Sequence, residues 1–513
     1  MYRAKQRVIQ GTLILSLSLG FAHAQSKFLV RSSLLGGQTQ VLIPSNSISH
    51  IETRGTLLWA GTSKGLASTL TGGRSWQSYR SLPQFANTGI FALTIKGDTV
   101  WASTGFSKDV ENVGSVQTGS GYTYSLDNGT TWNSLPQTLD AQSDSLVTYG
   151  RNIVNFLPVT VPEQNVTFDI SLTDSIVWIA SWSSGLRKSN NLGRTWQRTV
   201  LPDDDMTSIS PDDSLGNYEI NPVPVNNFKV FSVFAENPSV IWAGSAGGIN
   251  KSTDGGISWQ HFRTNNQVAH ILSNWVIAIR GQQLGSTTRI WATNWPAEGA
   301  GERFGVSYTD DGGRIWTNTL FDIKAYDFAF RDSIVYVSTE EGLYRSADGG
   351  RSWNRSGPII DSRNGARITC PVVYAAGIIG DTVYAGTSDG LATTIDDGNS
   401  AFGQVWSVFR AYQPVGTGSA TYAYPNPFSP RFEATRIHYS TGLTPANVNV
   451  ELFDFGMNRV RTIVMNAPRT ADEHDEIWDG RNDAGAIVPN GVYFYRVNVG
   501  GNDPAWGKIM VIQ

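Results

Sequence analysis

Short apolar runs recur along most of this chain, separated by polar turns that are rich in glycine. One type of run has an apolar residue, then Trp or Tyr, then small residues, as in Leu58-Trp59-Ala60-Gly61. Seven copies can be aligned, at residues 58–61, 100–103, 177–180, 241–244, 290–293, 335–338 and 383–386. Apolar runs of this length bounded by turn residues predict buried β-strands.

A second motif follows each of these runs and has the form Ser/Thr-x-Asp-x-Gly-x-x-Trp. Its clearest copies span Ser252 to Trp259 and Ser346 to Trp353. Asp can bind backbone N–H groups and Gly can take a positive φ, so the motif predicts a tight hairpin turn that the Trp covers. The residues to which we assign this structural role are Asp127, Gly129, Trp132, Asp254, Gly256, Trp259, Asp311, Gly313, Trp316, Asp348, Gly350 and Trp353.

Three copies of the turn motif depart from the consensus. Thr71 and Asn191 replace the Asp in the first and third copies, and an insertion splits the seventh copy between Gly398 and Trp406. These turns should be weaker, because fewer carboxylate hydrogen bonds can form.

A further apolar run precedes each pair of motifs, for example at residues 89–95 and 227–233. Each unit therefore contains four predicted antiparallel strands, and seven units fill residues 25–410. This organisation predicts an all-β protein whose main domain is a seven-bladed β-propeller. A solenoid is the less favoured alternative, because four-stranded units favour radial closure.

The turn motif resembles the Asp-box, or BNR repeat, of sialidase-like propellers. The same element occurs in xyloglucanase-type glycosidases, sortilin-type receptors and photosystem II assembly-factor-type propellers. The resemblance covers residues 25–410 and implies the blade structure, but it says almost nothing about activity. A true sialidase would also need an Arg cluster and a Phe-Arg-Ile-Pro-like element near the start of the propeller, and we find no such element.

The composition of the chain changes after Trp406. Residues 411–423 form a Gly/Pro/Ser-type linker, and residues 424–513 contain alternating runs at 435–439, 448–454, 460–464 and 491–497 that predict a small β-sandwich. The segments 424–428, 478–485 and 491–496 resemble the Ig-like domain of flagellar hook-capping proteins and the C-terminal sorting domain of type IX secretion cargo. That resemblance implies translocation across an outer membrane by a type IX-like machinery; an ordinary accessory Ig-like domain is the alternative.

The N-terminus has the pattern of a secretory signal peptide. Arg3, Lys5 and Arg7 precede an apolar run at 11–21, and the small residues at 22–24 predict cleavage after Ala24. A buried N-terminal helix is the weaker interpretation. No later run is long enough to predict a transmembrane segment.

Composition narrows the possible functions further. A net charge of −4 gives no electrostatic reason to expect nucleic-acid binding. The single cysteine, Cys370, cannot form an internal disulfide and is expected to be a buried strand residue. No cofactor or metal is expected, although the acidic residues at 203–205 and 212–213 leave calcium as a less favoured alternative to a solvated charge run.

Long connections at 104–121, 201–226 and 294–304 place the candidate binding surface on the face opposite the Asp-box turns. The loops between second and third strands there supply aromatic, basic and acidic side chains. An aromatic and acidic rim is suited to stacking on sugar rings and binding hydroxyl groups. The candidate ligand-binding residues are Lys64, Phe106, Trp182, Trp295, Glu340, Glu341 and Asp389.

Two functions remain open from the sequence. The leading interpretation is a secreted or cell-surface propeller that binds an extracellular glycan or protein and has no assembled catalytic set. The alternative is a glycoside hydrolase that pairs Glu340 or Glu341 with Asp389 or Asp109, with carboxylates about 5–10 Å apart. The Asp residues of the turn motif are not catalytic candidates, because turn formation explains them.

Overall fold

A computed structural model describes residues 26–29, 43–86, 88–110, 114–297, 301–363, 365–368, 370–398, 401–411, 421–431, 434–441, 445–470 and 473–513. Helical structure within these ranges is limited to two 3₁₀ turns, Pro83–Phe85 and Asn226–Phe228. The all-β fold predicted from the sequence is therefore confirmed. The predicted signal peptide lies outside the described residues, as does most of the predicted linker.

The first fifteen strands precede residue 200. They are β1 (Ser26–Leu29), β2 (Ile48–Arg54), β3 (Leu57–Thr62), β4 (Gly65–Thr69), β5 (Gln77–Ser78), β6 (Gly89–Lys96), β7 (Thr99–Val110), β8 (Gly114–Ser125), β9 (Thr131–Leu135), β10 (Leu146–Tyr149), β11 (Asn152–Phe156), β12 (Thr167–Leu172), β13 (Val177–Ser181), β14 (Gly185–Ser189) and β15 (Gln197–Arg198).

Eighteen strands follow as far as residue 409. They are β16 (Ser208–Ile209), β17 (Glu219–Ile220), β18 (Val230–Ala235), β19 (Ile241–Ser245), β20 (Ile249–Ser252), β21 (Trp259–Phe262), β22 (Trp275–Leu284), β23 (Thr287–Trp295), β24 (Gly305–Thr309), β25 (Thr317–Thr319), β26 (Ala325–Arg331), β27 (Ile334–Thr339), β28 (Gly342–Ser346), β29 (Asn354–Arg355), β30 (Val373–Ile379), β31 (Thr382–Thr387), β32 (Gly390–Ile395) and β33 (Ser407–Phe409).

These strands build seven antiparallel repeat sheets within the described part of the chain. Sheets 1 to 7 comprise β2–β5, β6–β9, β12–β15, β18–β21, β22–β25, β26–β29 and β30–β33. β1 and β16 add outside the fourth strands of sheets 2 and 4, and β10, β11 and β17 form a small separate sheet. Each sheet comes from one continuous stretch of sequence, which agrees with the repeat units.

The first strands of the seven sheets lie next to one another in a closed cycle. β2 contacts β6, the contacts continue through β12, β18, β22 and β26 to β30, and β30 returns to β2. This arrangement of radial sheets around common inner strands is propeller-like.

The two sequence motifs meet across the boundaries between sheets. Trp59 on β3 contacts Trp132, which covers the turn of sheet 2, and Trp178 contacts Trp259 in the same way with ring centroids 6.4 Å apart. Sheets 4 and 5, and then 5 and 6, repeat this edge-to-face contact. The close approach leaves no room beside the turn: a Cβ on Gly256 would lie 2.4 Å from the Trp178 ring.

The Asp-box turns have the hydrogen bonds that the sequence predicts. Oδ1 of Asp254 accepts from the backbone N–H of Ser258 at 2.9 Å, Oδ2 accepts from its hydroxyl at 2.6 Å, and the Ser252 hydroxyl also donates to Oδ1. Asn191 and Thr71 lack a carboxylate, but each still accepts the backbone N–H of the residue four positions later and bonds its hydroxyl, so the expected weakness of these turns stays a prediction. In the split seventh copy, Oδ2 of Asp396 accepts hydrogen bonds from the Tyr336 hydroxyl and from Arg345 Nε, both of sheet 6.

Among the described strands, none is exchanged between sheets 1 and 7, where the ring closes. The backbone carbonyl of Asn46 accepts from Gly390 at 2.7 Å, and its side-chain oxygen accepts from Ala411 at 2.7 Å. Ile48 and Ile51 share a buried cluster with Tyr384 of sheet 7. Closure therefore rests on these hydrogen bonds and on apolar packing.

The C-terminal strands are β34 (Thr421–Tyr424), β35 (Thr435–Ser440), β36 (Ala446–Phe453), β37 (Arg459–Arg469), β38 (Glu473–Trp478), β39 (Gly491–Val499) and β40 (Ala505–Val511). They form two sheets, of order β34-β35-β38 and β37-β36-β39-β40. Both sheets contribute to one buried cluster, which includes Phe428, Ile437, Leu452, Trp478 and Tyr495.

Two local expectations are wrong. Residues 104–110 and 114–121 are not a loop, because β7 and β8 extend the inner hairpin of sheet 2, pairing as far as Val110 with Gly114. Cys370 is a partly buried residue in a bend before β30 and not a strand residue.

Candidate functional site

Every first strand of the repeat sheets carries a β-bulge close to its start. In sheet 2, for example, Ile90 pairs with Thr104 and Ala92 pairs with Ser103, which leaves Phe91 without a partner on β7. A bulge re-aims a side chain and interrupts the ladder, and bulges are common beside functional sites. The bulged residues are Ser49, Phe91, Phe168, Phe231, Ile277 with Ala278, Tyr326 and Tyr374.

All of these bulged residues line one cavity of about 1390 Å³. The cavity lies where the first strands surround the centre of the ring, and it extends along the β7–β8 hairpin as far as Asp109 and Ser115. Its volume exceeds the ~300–1,000 Å³ of pockets that hold small ligands. The bulges therefore place side chains from seven sheets around one ligand-sized space.

Five of the bulged side chains are aromatic, and we call them the collar: Phe91, Phe168, Phe231, Tyr326 and Tyr374. Phe168 and Phe231 have ring centroids 6.2 Å apart, and Tyr326 and Tyr374 have centroids 5.4 Å apart. Each ring is partly exposed. The collar therefore offers aromatic surface from sheets 2, 3 and 4 and from sheets 6 and 7.

A charged cluster, which we call the floor, lies beside the collar. Arg280 Nη1 donates to Asp169 at 2.9 Å, and Arg280 Nε lies 3.2 Å from Oδ1 of Asp327. Asp169 also accepts from the backbone N–H of Val233 at 3.1 Å. Asp169 and Asp327 each directly follow a collar residue, so the same bulges position the rings and the carboxylates.

Glu52 interacts electrostatically with the three residues of the floor. Burial raises the pKa of Glu52 to about 8, with Arg280 opposing the shift and the two aspartates adding to it. Burial also raises the pKa of Asp169, against the attraction of Arg280. Burial and Arg280 together lower the pKa of His50 to about 4. Near neutral pH, His50 is therefore uncharged and Glu52 is largely protonated.

The C-terminal sheets contribute part of the rim of the cavity. Arg481 forms an ion pair with Asp109 on β7, and its Nε lies 3.7 Å from Asp479. Arg431, Pro430 and Ile487 line the same side. The site is thus built from both parts of the chain.

The structure brings together only part of the set predicted from the sequence. Phe106 and Trp295 line the cavity, as does Asp109. Trp295 packs on Tyr326 with centroids 5.6 Å apart. Trp182 lies behind the collar, where it contacts Phe231 at 5.4 Å.

The other predicted residues are outside the lining of the cavity. Glu341 pairs with Arg355 and Glu340 accepts a backbone N–H, while Lys64 sits in the turn after β3. Asp389 is buried and pairs with Arg410 at 2.7 Å; burial raises its pKa to about 6 despite that partner. All four carboxylates of the hydrolase interpretation therefore have partners within the fold, and of these four only Asp109 lines the cavity.

Sequence reasoning missed the collar and the floor, although the sequence carries a signal for them. Ser49, Phe91, Phe168, Tyr326 and Tyr374 each lie ten positions before the Trp or Tyr of the following second-strand motif. A constant offset to an aligned motif places residues at equivalent points of a repeat. An aromatic at that offset was the available indication of a shared surface.

Metal and membrane features were searched over the same described residues. No group of three or more His, Cys, Asp or Glu side chains is placed to hold a metal ion there. In the acidic segment, Asp204 accepts the backbone N–H groups of Asn226 and Asn227, which gives it a structural role. The described helices include none long and apolar enough to span a membrane.

Comparison with known proteins gives similarity at the level of fold. No protein-family model matches the chain, and no curated protein matches it. A GH74 enzyme of Niastella koreensis is 14% identical over 93% of this chain and 74% of that chain, with a TM-score of 0.50. YCF48 from Cyanidioschyzon merolae is 16% identical over 70% of this chain and 99% of its own, with a TM-score of 0.44.

A third similar structure is PorZ of Porphyromonas gingivalis, described as a bacterial surface component of the type IX secretion system. It is 13% identical over 92% of this chain and 66% of its own, with a TM-score of 0.33. The similarity to the GH74 enzyme, at a TM-score of 0.50 and 14% identity, supports a propeller-like fold and does not transfer an activity.

Proposed function

We propose that this chain is a secreted or cell-surface, seven-bladed Asp-box β-propeller that binds an extracellular ligand in the collar cavity and does not turn it over. The observation that carries the proposal is the set of seven bulges, which direct side chains from all seven repeat sheets to one cavity. A bulge at the same point of every sheet is a costly interruption of the ladder. Its recurrence is explained if the centre of the ring serves recognition.

The partners of the predicted catalytic carboxylates support a binding role over a hydrolytic one. Asp389 is held by Arg410 and Glu341 by Arg355. The Asp-box carboxylates are engaged by their own turns. Extracellular glycans and proteins both remain ligand classes for the propeller as a whole.

The test uses the purified full-length chain and two collar variants, Tyr326→Ala and Tyr374→Ala. A glycan array and a pull-down from cell surfaces measure binding, and a chromogenic glycosidase panel measures turnover. We expect binding that both variants weaken and no turnover. Turnover, or binding that neither variant changes, would contradict the proposal.

We propose that residues 424–513 form an Ig-like sorting domain of the type IX kind. This domain acts after the signal peptide at residues 1–24 has directed export. The sequence segments 424–428, 478–485 and 491–496 support this proposal. Deletion of residues 424–513 should abolish appearance of the protein at the surface of a host with a type IX system. Unchanged export of the deletion variant would contradict it.

A glycoside hydrolase is a second candidate because three carboxyl groups, those of Glu52, Asp169 and Asp327, interact with Arg280 at the floor. Burial raises the pKa of Glu52 to about 8, and Asp169 and Asp327 contact the neighbouring Arg280. An acid and a base in one site are what glycoside hydrolysis requires. If the glycosidase panel shows turnover, Glu52→Gln and Asp327→Asn should each abolish it.

A further inference from the structure

The collar cavity combines two kinds of surface that few ligands satisfy together. The collar presents ring faces and edges, and the floor presents hydrogen-bonding groups fixed by mutual ion pairs. A purely apolar ligand would leave the floor groups without partners, which is costly in a confined space. A highly polar ligand would gain nothing from the collar.

The floor has both a donor and an acceptor available. Arg280 uses Nη1 for Asp169 and for its own chain at Ile279, and the structure records no hydrogen bond from its Nη2 to any described residue. Oδ1 of Asp327 is buried against Arg280, but the Asp327 side chain is 21% exposed, and its Oδ2 accepts no hydrogen bond from the described residues, so Oδ2 is the acceptor that faces the cavity. A guanidinium donor beside a carboxylate acceptor complements two neighbouring hydroxyl groups, each of which can donate and accept.

The charge of the cavity disfavours acidic ligands. Four aspartates and three arginines are the acidic and basic side chains among the described lining residues, and His50 is neutral near pH 7. At the floor, Arg280 already has two carboxylates as partners, so a third carboxylate would meet net repulsion in a site of low dielectric. A cationic ligand could gain from these carboxylates only by competing with Arg280 for them, and displacing Arg280 would leave its guanidinium without a partner.

We propose that the collar cavity is a binding site for neutral saccharide chains: sugar rings pack on the aromatic collar, and neighbouring hydroxyls bind Arg280 and Asp327. This inference rests on the proposed ligand-binding function and names its ligand class. The cavity of about 1390 Å³ has room for more than one sugar ring. Aromatic rings contribute apolar area with little loss of conformational freedom, so they suit the weakly apolar faces of sugars.

The experiment compares four oligosaccharides of equal length on the full-length chain by isothermal titration calorimetry. Cellohexaose and chitohexaose are neutral, the galacturonic acid hexamer is acidic, and the glucosamine hexamer is cationic. We expect a neutral hexamer to bind at least about tenfold more tightly than both charged hexamers. Tyr374→Phe tests whether the phenol matters, and Tyr374→Ala tests the ring itself.

The variants locate the site. Tyr326→Ala and Tyr374→Ala should each weaken neutral binding by about tenfold, as for other buried aromatic contacts. Asp327→Asn keeps the shape but loses a carboxylate, so it should weaken neutral binding and narrow the discrimination against the acidic hexamer. Phe321→Ala, an exposed aromatic outside the cavity lining, is the matched control and should leave all four titrations unchanged.

Tighter binding of either charged hexamer would overturn the assignment to neutral saccharides, as would neutral binding that the collar variants leave unchanged. Absence of binding by all four hexamers would also overturn it. That result would not contradict the proposal that the collar cavity binds a ligand. The pull-down tests that proposal separately: a protein that the wild-type chain captures and the Tyr326→Ala variant does not capture would support it. Turnover on the glycosidase panel would defeat the wider proposal without changing which saccharide binds.

Discussion

Trp59 and Trp132 meet edge to face with ring centroids 6.0 Å apart and an interplanar angle of 80°. Trp59 belongs to the second strand of sheet 1, whereas Trp132 covers the Asp-box turn of sheet 2. Both side chains are fully buried, and Tyr79 packs on each of them. The two motifs of the sequence repeat thus join one sheet to the next.

This contact predicts measurable coupling between the two tryptophans. In a double-mutant cycle with Trp59→Phe and Trp132→Phe, the coupling free energy of unfolding should be about 0.5–1.5 kcal/mol. Chemical denaturation measures it. The control is a second cycle with Trp59→Phe and Trp353→Phe. These two residues belong to different contacts, so their effects on the free energy of unfolding should be additive. A zero coupling for Trp59 and Trp132 would contradict the proposed joint.

The Asp-box carboxylates should stabilise the fold without serving the ligand. Asp254→Ala removes bonds to Ser252 and Ser258 and should cost about 1–2 kcal/mol of unfolding free energy, with ligand binding unchanged in the folded protein. Asp205→Ala is the control, since that side chain is exposed and has no hydrogen bond recorded among the described residues. A normal melting temperature for Asp254→Ala would refute the structural role.

The pH dependence of stability should show the proton held by Glu52. Burial raises its pKa from 4.5 to about 8, so between these values the folded state binds more protons than the unfolded state. The contribution of Glu52 is therefore fully present below about pH 4.5 and is lost as the pH rises towards 8.

The Glu52→Gln variant isolates this effect, because it cannot ionise. Between pH 5 and pH 8, the free energy of unfolding of the wild-type protein should fall by roughly 1–3 kcal/mol more than that of Glu52→Gln. Denaturant titrations at a series of pH values measure the difference. Glu219→Gln, at an exposed position, should run parallel to the normal chain. A constant difference between Glu52→Gln and the normal chain would show that Glu52 titrates normally.

Asp389 and Arg410 should act as a structural pair. Arg410→Ala leaves the buried Asp389 carboxylate without its 2.7 Å partner and should destabilise the fold by about 3–5 kcal/mol. Replacing both residues by Ala should cost less than Arg410→Ala alone, because no unpaired charge remains. Thermal unfolding compares the three proteins. If Arg410→Ala lost ligand binding but kept its stability, Asp389 would instead be assigned to the ligand-binding site.

The ion pair between Arg481 and Asp109 links the C-terminal sheets to the β7–β8 hairpin. Both side chains are partly exposed, so the pair should contribute only about 0.2–1 kcal/mol in a double-mutant cycle. Its loss in Arg481→Ala should nevertheless speed hydrogen exchange at the end of the hairpin. Arg459→Ala, which lies elsewhere in the C-terminal sheets, is the control. Unchanged exchange would show that the contact does not restrain the hairpin.

Much of the architecture could be predicted because it is local. The turn at Asp254 is closed by bonds between residues two to four positions apart, and the second-strand motif is apolar because its strand is buried on both faces. Such local patterns can be recognised from the sequence of a single repeat unit. The substitutions at Thr71 and Asn191 are also visible in the sequence, but there a hydroxyl and an amide oxygen accept the backbone N–H that the carboxylate accepts elsewhere.

The sequence indicates the candidate site only in part, because most residues that line the cavity lie on strands and not on the loops that the sequence favours. Trp295 and Phe106 do reach the cavity, but Glu341 and Asp389 have local arginine partners that sequence spacing does not reveal. The sequence predicts a loop at 104–121 because the two paired strands are mostly polar beyond Gly105, which weakens the alternating pattern. The collar was missed because each member looked like an ordinary strand aromatic.

The sequence by itself determined the repeat, the strands and the turns, since each depends on neighbours within one unit. Only the tertiary structure decided which residues share a surface. Asp169 and Arg280 are 111 positions apart and meet solely because seven inner strands surround one centre. Whether an aromatic packs in a core or faces the cavity is decided by a one-residue bulge, because a single extra residue reverses the face to which a side chain points.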